Sequence, residues 1–309
     1  MSDNLRRLQI LRFAFLLAWV ALVPGCKTEP PANPNFVVVL VDQLRKDAVH
    51  RWMPQINALS AKGIRFEGMR SAAPWTYPSV ISMFSGLYPQ QHGANGDQHG
   101  EGMLTTFDPH IPLLQELLQE THYTAGFVTS PFLQDWNSFD EGFDHFASEE
   151  FIGSQGPLRG YPDAVWSNTM FADTVNPSIT RHFDQHPHTR PEFVYVHYID
   201  VHGGKANPRS QAGPWKEAPF KVRNGSYRGY ADASAYIDEK IIEIYEYFLD
   251  RYDGNLVFIV TSDHGQEMPN DVQTGEGRFL RRRKATVHDF NTHIPFIILP
   301  SDQIKDDLV

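Results

Sequence analysis

Asp42 and Gln43 directly follow the apolar run FVVVLV (36–41), and Asp263 and His264 come three residues after the apolar run NLVFIV (255–260). Both runs read as buried strands, so two carboxylates, an amide oxygen and an imidazole fall at strand exits. Hard and borderline divalent cations take such oxygen-plus-imidazole sets. A further candidate is Thr76 in APWTYPSVISMFSGLYPQQHG (73–93). Pro78 suits the first turn of a helix, and Val80, Met83, Phe84 and Leu87 recur at helical spacing, which places Thr76 at a helix N-terminus. The N–H groups and positive dipole end there stabilise an alkoxide and an incoming oxyanion. A metal on the same oxygen would stabilise the alkoxide further. Each feature alone also has a plainer reading: an Asp after a strand serves as a helix cap or loop residue, and Thr76 as a cap is worth about 1 kcal/mol.

The elements that must bring these residues together are legible as alternating runs. FVVVLV (36–41), AGFVTS (125–130), EFVYVHYI (192–199), NLVFIV (255–260) and HIPFIIL (293–299) read as strands. MPQINALSAKG (53–63), IPLLQELLQET (111–121) and ADASAYIDEKIIEIYEYFLDRY (231–252) read as helices. Strand and helix in repeated order predict an α/β fold, a mostly parallel central sheet with helices on both faces. In such sheets ligands bind beyond the carboxyl ends of the strands, where the candidate residues lie. The chain has 309 residues, 41% hydrophobic and 21% charged, with a net charge of −10. That composition is globular, and the acidic balance argues against a general nucleic-acid binder.

The first residues read differently. A basic head with Arg6, Arg7 and Arg12 precedes the apolar run FAFLLAWVALV (13–23), too short to span a bilayer comfortably. The exit LVPGC ends at Cys26, the chain's single cysteine, so no disulfide can form within the chain. This stretch resembles a bacterial lipoprotein signal covering residues 1–25, with Cys26 the lipidated first residue of an exported, membrane-anchored protein. A plain signal peptide or short anchor is the alternative. Residues 26–34 read as a proline-rich spacer, and residues 35–309 as one large domain.

Taken in order, PNFVVVLVDQLRKD, APWTYPSVISMFSGLYPQQHG, LLQETHYTAGFVTS with FDEGFDHF, VHYIDVHGG, and VFIVTSDHGQE with THIPFIIL resemble the motifs of the sulfatase branch of the alkaline phosphatase superfamily. The resemblance runs from about Pro34 to Pro300. It implies an alkaline-phosphatase-like fold that here lacks the usual smaller C-terminal subdomain. It also implies one divalent metal ion (calcium, magnesium, manganese or zinc) ligated by Asp42, Gln43, Asp263 and His264, with Thr76 as nucleophile and further ligand. His202 in YIDVHGG and Lys284 or Arg283 in RRRKATVHDFNTHIP are the candidates for binding a substrate oxygen and protonating the leaving group; a loop histidine and a solvated basic loop are the alternatives. Asp200, His288 and His293 offer a second metal site as another alternative.

The chain departs from the commonest sulfatase pattern. Those enzymes carry a cysteine or serine followed by x-Pro-x-Arg and convert it to formylglycine; this chain reads Thr76-Tyr77-Pro78-Ser79-Val80. A threonine cannot give that aldehyde, and Val80 stands where the arginine would. The expected activity is therefore metal-dependent cleavage of a phosphate or sulfate ester through Thr76, with phosphate ahead. The substrate would be a small molecule, glycan or lipid. A phospho-group transferase acting on envelope lipids or glycans, and a non-catalytic anion-binding lipoprotein of the same fold, are the alternatives. Trp166, Trp215 and Tyr161 lie in loops that would meet the leaving group or serve as packing residues.

Overall fold

The computed structural model describes residues 33–95, 105–148, 171–202, 227–267 and 287–304. Cys26, Tyr161, Trp166, Trp215, Arg283 and Lys284 lie outside the described residues.

All five apolar runs are strands: β1 (Asn35–Val41), β3 (Tyr123–Val128), β5 (Glu192–Tyr198), β6 (Leu256–Thr261) and β7 (Phe296–Ile298). Two short strands, β2 (Ile64–Arg65) and β4 (His145–Ala147), close the edges, giving the order β2-β7-β6-β1-β5-β3-β4. β4, β3, β5, β1 and β6 are mutually parallel, while β7 is antiparallel to both β6 and β2. Central β1 pairs with β5 on one side and β6 on the other.

Alternation along β1 divides the core. Val37, Val39 and Val41 enter one apolar cluster and Leu40 another, against which Phe36 and Val38 pack. The first cluster is completed by α1 (Lys46–Trp52), α2 (Pro54–Ser60), α6 (Ala172–Gln185) and α7 (Tyr227–Arg251) through Val49, Ile56, Ile179, Phe183, Ile241 and Phe248. The second is completed by α3 (Thr76–Ser85) through Tyr77, Val80, Ile81 and Phe84, with α4 (Pro89–His92) and α5 (Leu114–Leu118) following it in the chain. Helices therefore cover both faces, as the alternating pattern predicts, and each fully buried large side chain contributes roughly 1.5–3 kcal/mol.

α2 has no side-chain cap of its own; Asp238 of α7 supplies one from across the core, accepting from the N–H groups of Gln55 and Ile56 at 2.9 Å each. α6 keeps Pro177 in its interior. The ring removes one backbone hydrogen bond, and the buried stripe of Ala172, Val175, Ile179 and Phe183 holds the helix on the sheet nonetheless.

Candidate active site

The β1–β6 register pairs Leu40 with Thr261. Two residues on, both strands have ended, and the same lateral neighbourhood holds Asp42 and Asp263. The two loops are cross-tied. The N–H of Gln43 donates to Asp263 Oδ1 at 3.1 Å, and the N–H of Leu44 donates to the Ser262 hydroxyl at 2.9 Å. Arg45 Nη1 donates to the Gln266 carbonyl at 3.1 Å. Gln43 adopts a left-handed backbone, φ 64°, which disfavours a residue with a side chain. Tyr230 of α7 holds this turn: its hydroxyl accepts from the Arg45 N–H at 2.7 Å and donates to the Gln43 carbonyl at 2.8 Å. Gly265 lets the β6 loop press against α8 (Asp289–Thr292), because a Cβ there would stand 1.9 Å from the Phe290 carbonyl oxygen.

Thr76 opens α3, but it is not the cap. Trp75 is the N-cap, with extended backbone and no side-chain cap bond. The Thr76 hydroxyl instead donates across the site to Asp42 Oδ2 at 3.2 Å, and His264 Nε2 lies 3.5 Å from Thr76 Oγ1. Ser79, one turn on, donates its hydroxyl to the Asp263 carbonyl at 2.6 Å and seats the helix end on the β6 loop. Thr76, Asp42, Asp263 and His264 are all buried.

The electrostatics of the site suit a cation. Burial, and after it the charge of Asp263, pushes the Asp42 carboxyl well above the usual carboxylate range. Among the described residues, Asp42 Oδ1 and Asp263 Oδ2 are buried with no hydrogen-bond partner. His264 Nδ1 lies 2.7 Å from the Gly265 carbonyl, which can only accept, so Nδ1 carries a hydrogen. Nε2 is turned inward, 3.4 Å from Asp263 Oδ2 and 3.8 Å from Asp42 Oδ1. One ligand atom from each of Asp42, Asp263 and His264 falls within 4.8 Å of the others. Inward oxygens without hydrogen-bond donors, beside an imidazole nitrogen, fit a divalent cation.

Gln43 stands beside this set, its backbone N–H bonded to Asp263 Oδ1. His202 sits on the turn after β5, at the same carboxyl edge of the sheet, with its N–H bonded to the Ile199 carbonyl at 2.9 Å. The alternative second metal site does not assemble. His293 turns its Nε2 to the Glu67 carbonyl at 2.7 Å, and Asp200 Oδ1 accepts from the Ala172 N–H at 3.1 Å. Among the His, Cys, Asp and Glu side chains of the described residues, the group of three close enough to share one ion is Asp42, Asp263 and His264.

One site residue escaped the sequence reading. His197 of β5 is fully buried, with Nε2 3.5 Å from Asp42 Oδ2 and Nδ1 2.9 Å from the Tyr195 hydroxyl. Burial pushes its pKa down to about 4, so the imidazole is neutral. The signal was an imidazole in the interior of a largely apolar strand, on the same side as Phe193 and Tyr195.

Residues 34–307 match the Sulfatase family. The chain belongs to the sulfatase family. An ectonucleotide pyrophosphatase/phosphodiesterase of Caenorhabditis elegans is 21% identical over 263 residues, which cover 79% of this chain and 27% of that protein. The chain thus spans about a quarter of the length of this relative. Among solved structures, Ps i-CgsB in complex with k-i-k-neocarrahexaose shares the fold at a TM-score of 0.61 and 16% identity, covering 89% of this chain and 67% of the other. The C-terminal periplasmic domain of EcEptC from Escherichia coli, in complex with Zn, does so at a TM-score of 0.55 and 14% identity, covering 89% and 74%.

Proposed function

We propose that this sulfatase-family hydrolase cleaves a phosphate ester by attack of Thr76 Oγ1 on phosphorus. The observation that carries the reading is the placement of that hydroxyl: first residue of α3, hydrogen-bonded to Asp42 and facing His264. A divalent cation held by Asp42, Gln43, Asp263 and His264, with Thr76 as a further donor, would lower the pKa of the hydroxyl and neutralise charge on the ester oxygens.

The chain's own residues do the rest. Asp42 Oδ2 orients the Thr76 hydroxyl and stands where its proton departs. As the Oγ1–phosphorus bond forms and the ester bond to the leaving oxygen breaks, the α3 N-terminus faces the phosphoryl oxygens with its N–H dipoles. His202 gives a proton to the leaving alkoxide, and Lys284 balances negative charge on the substrate. Water then opens the threonine ester and restores the hydroxyl.

Phosphate stands ahead of sulfate because threonine cannot supply the formylglycine aldehyde, and because the worm relative is a pyrophosphatase/phosphodiesterase by name. The neocarrahexaose held by Ps i-CgsB supports a second reading, a sulfated glycan as substrate. Export as a lipoprotein anchored through Cys26 belongs to the same proposal; Cys26→Ser is expected to leave the membrane fraction or to stall in processing. The activity is tested by assaying aryl phosphate, aryl phosphodiester and aryl sulfate in parallel with added divalent ions. Turnover of a phosphoester supports the reading, and a clear preference for sulfate overturns it.

A further inference from the structure

β5 runs through the centre of the sheet with every residue buried. Val194, Val196 and Tyr198 pack in one core cluster, and Phe193 and Tyr195 in the other. His197 follows Tyr195 on that second side, and it is the one imidazole in the strand. A buried polar group without a partner is costly, and among the described residues His197 Nε2 has no hydrogen-bond partner. The group it faces is Asp42, the carboxylate at the exit of the next strand, 3.5 Å away at Oδ2.

The tautomer is set by Tyr195. Burial pushes this phenol well above its ordinary pKa, so it keeps its hydrogen, and it lies 2.9 Å from His197 Nδ1. If Nδ1 carried the hydrogen, the Nε2 lone pair would point at a carboxylate oxygen in a dry site, two acceptors facing each other. With Tyr195 donating to Nδ1, the imidazole hydrogen sits on Nε2, the nitrogen on the side of Asp42 Oδ2. The backbone fixes this approach: His197 pairs with Leu40 in the β1–β5 register, and the Asp42 N–H donates to the Tyr198 carbonyl at 2.8 Å. Asp42 Oδ2 also accepts from Thr76, so the threonine hydroxyl and His197 Nε2, 3.5 Å away, face one oxygen. The other oxygen, Oδ1, has no hydrogen-bond partner among the described residues.

We infer that His197, oriented by Tyr195, is a positioning residue: it holds Oδ2 of Asp42 and turns Oδ1 toward the cation shared with Asp263 and His264. This rests on the metal reading proposed above. Groups that orient a metal ligand typically set affinity by 10 to 100-fold.

The test titrates Zn2+, Mn2+ and Ca2+ separately into chelator-treated protein by calorimetry, for wild type, His197→Phe, His197→Gln and Tyr195→Phe. His197→Phe is expected to weaken binding by about 10 to 100-fold while its melting temperature in chelator stays level or rises, because an apolar ring replaces an imperfectly paired polar one. His197→Gln, which keeps a donor, is expected to recover part of the loss. Nitrogen NMR of the wild-type imidazole is expected to show the hydrogen on Nε2, and Tyr195→Phe to mix the two tautomers. Unchanged affinity in His197→Phe, with wild type binding the ion, overturns this role alone, as does an Nδ1–H tautomer in wild type. A wild type that takes up none of the three ions overturns the metal reading and this role together.

Discussion

Thr76 and Asp42, 34 residues apart in sequence, meet in a 3.2 Å hydrogen bond between the threonine hydroxyl and Oδ2 of the aspartate. That bond separates two roles for Thr76. A helix cap would bond the backbone of its own first turn, whereas this hydroxyl points out of the helix toward the carboxylates and the imidazole.

Thr76→Ala is therefore expected to reduce turnover by about a thousandfold or more while costing only about 1 kcal/mol of stability, the worth of one hydrogen bond. Thr76→Ser keeps the oxygen in place and retains measurable turnover. Parallel kinetic and thermal-melting measurements on both variants check the separation.

Asp42 and Asp263 repel each other when no cation lies between them. Asp263→Asn is expected to lower bound metal by an order of magnitude or more, measured by elemental analysis after reconstitution. Saturation of wild type at about 100 times the dissociation constant should add about 2.7 kcal/mol of stability. The melting temperature of wild type should then fall on adding a chelator, and that of Asp263→Asn should barely move.

Glu192 is buried at the start of β5, and Arg251 grips it at both oxygens, at 2.8 and 3.3 Å, with the Tyr252 hydroxyl as a further donor. Arg251→Met strands the carboxylate and is expected to cost about 3 to 5 kcal/mol with no change in the ester preference. Adding Glu192→Gln to that variant should recover much of the loss. Chemical denaturation of the single and double variants measures both.

His182 stacks on His145 at 3.8 Å between ring centres and bonds the Tyr123 hydroxyl at 3.0 Å. Burial first, then the neighbouring His145, His186 and His188, lowers its pKa from 6.5 to about 4. The unfolded chain thus takes up the proton before the folded one does. The contribution is fully present above pH 6.5 and is lost progressively as pH falls toward 4. Melting temperatures between pH 7.5 and 4.5 are expected to fall more steeply for wild type than for His182→Phe.

The five strands were legible because β-branched runs such as FVVVLV and NLVFIV are apolar on both faces, the mark of a covered parallel sheet. The meeting of Asp42 with Asp263 and His264 was legible because these residues sit where such strands end. Other parts were hidden for physical reasons. Pro177 disguises α6, whose helical state depends on the buried stripe that packs it to the sheet. Strands β2 and β4 are too short to show a period. His197 reads as one more strand residue until β1 is known to lie beside it, since its partner Asp42 belongs to a neighbouring strand. The choice of Asp42 rather than the helix backbone as partner for Thr76 likewise arises only when β1, β6 and α3 converge.

The nucleophile can be observed directly. Wild-type protein turning over an aryl phosphate is quenched in acid, digested and mapped by mass spectrometry. Phosphate on the peptide carrying Thr76, absent in Thr76→Ala, is the expected result. Full turnover with an unmodified Thr76 peptide at every quench time, together with undiminished activity in Thr76→Ala, would contradict it.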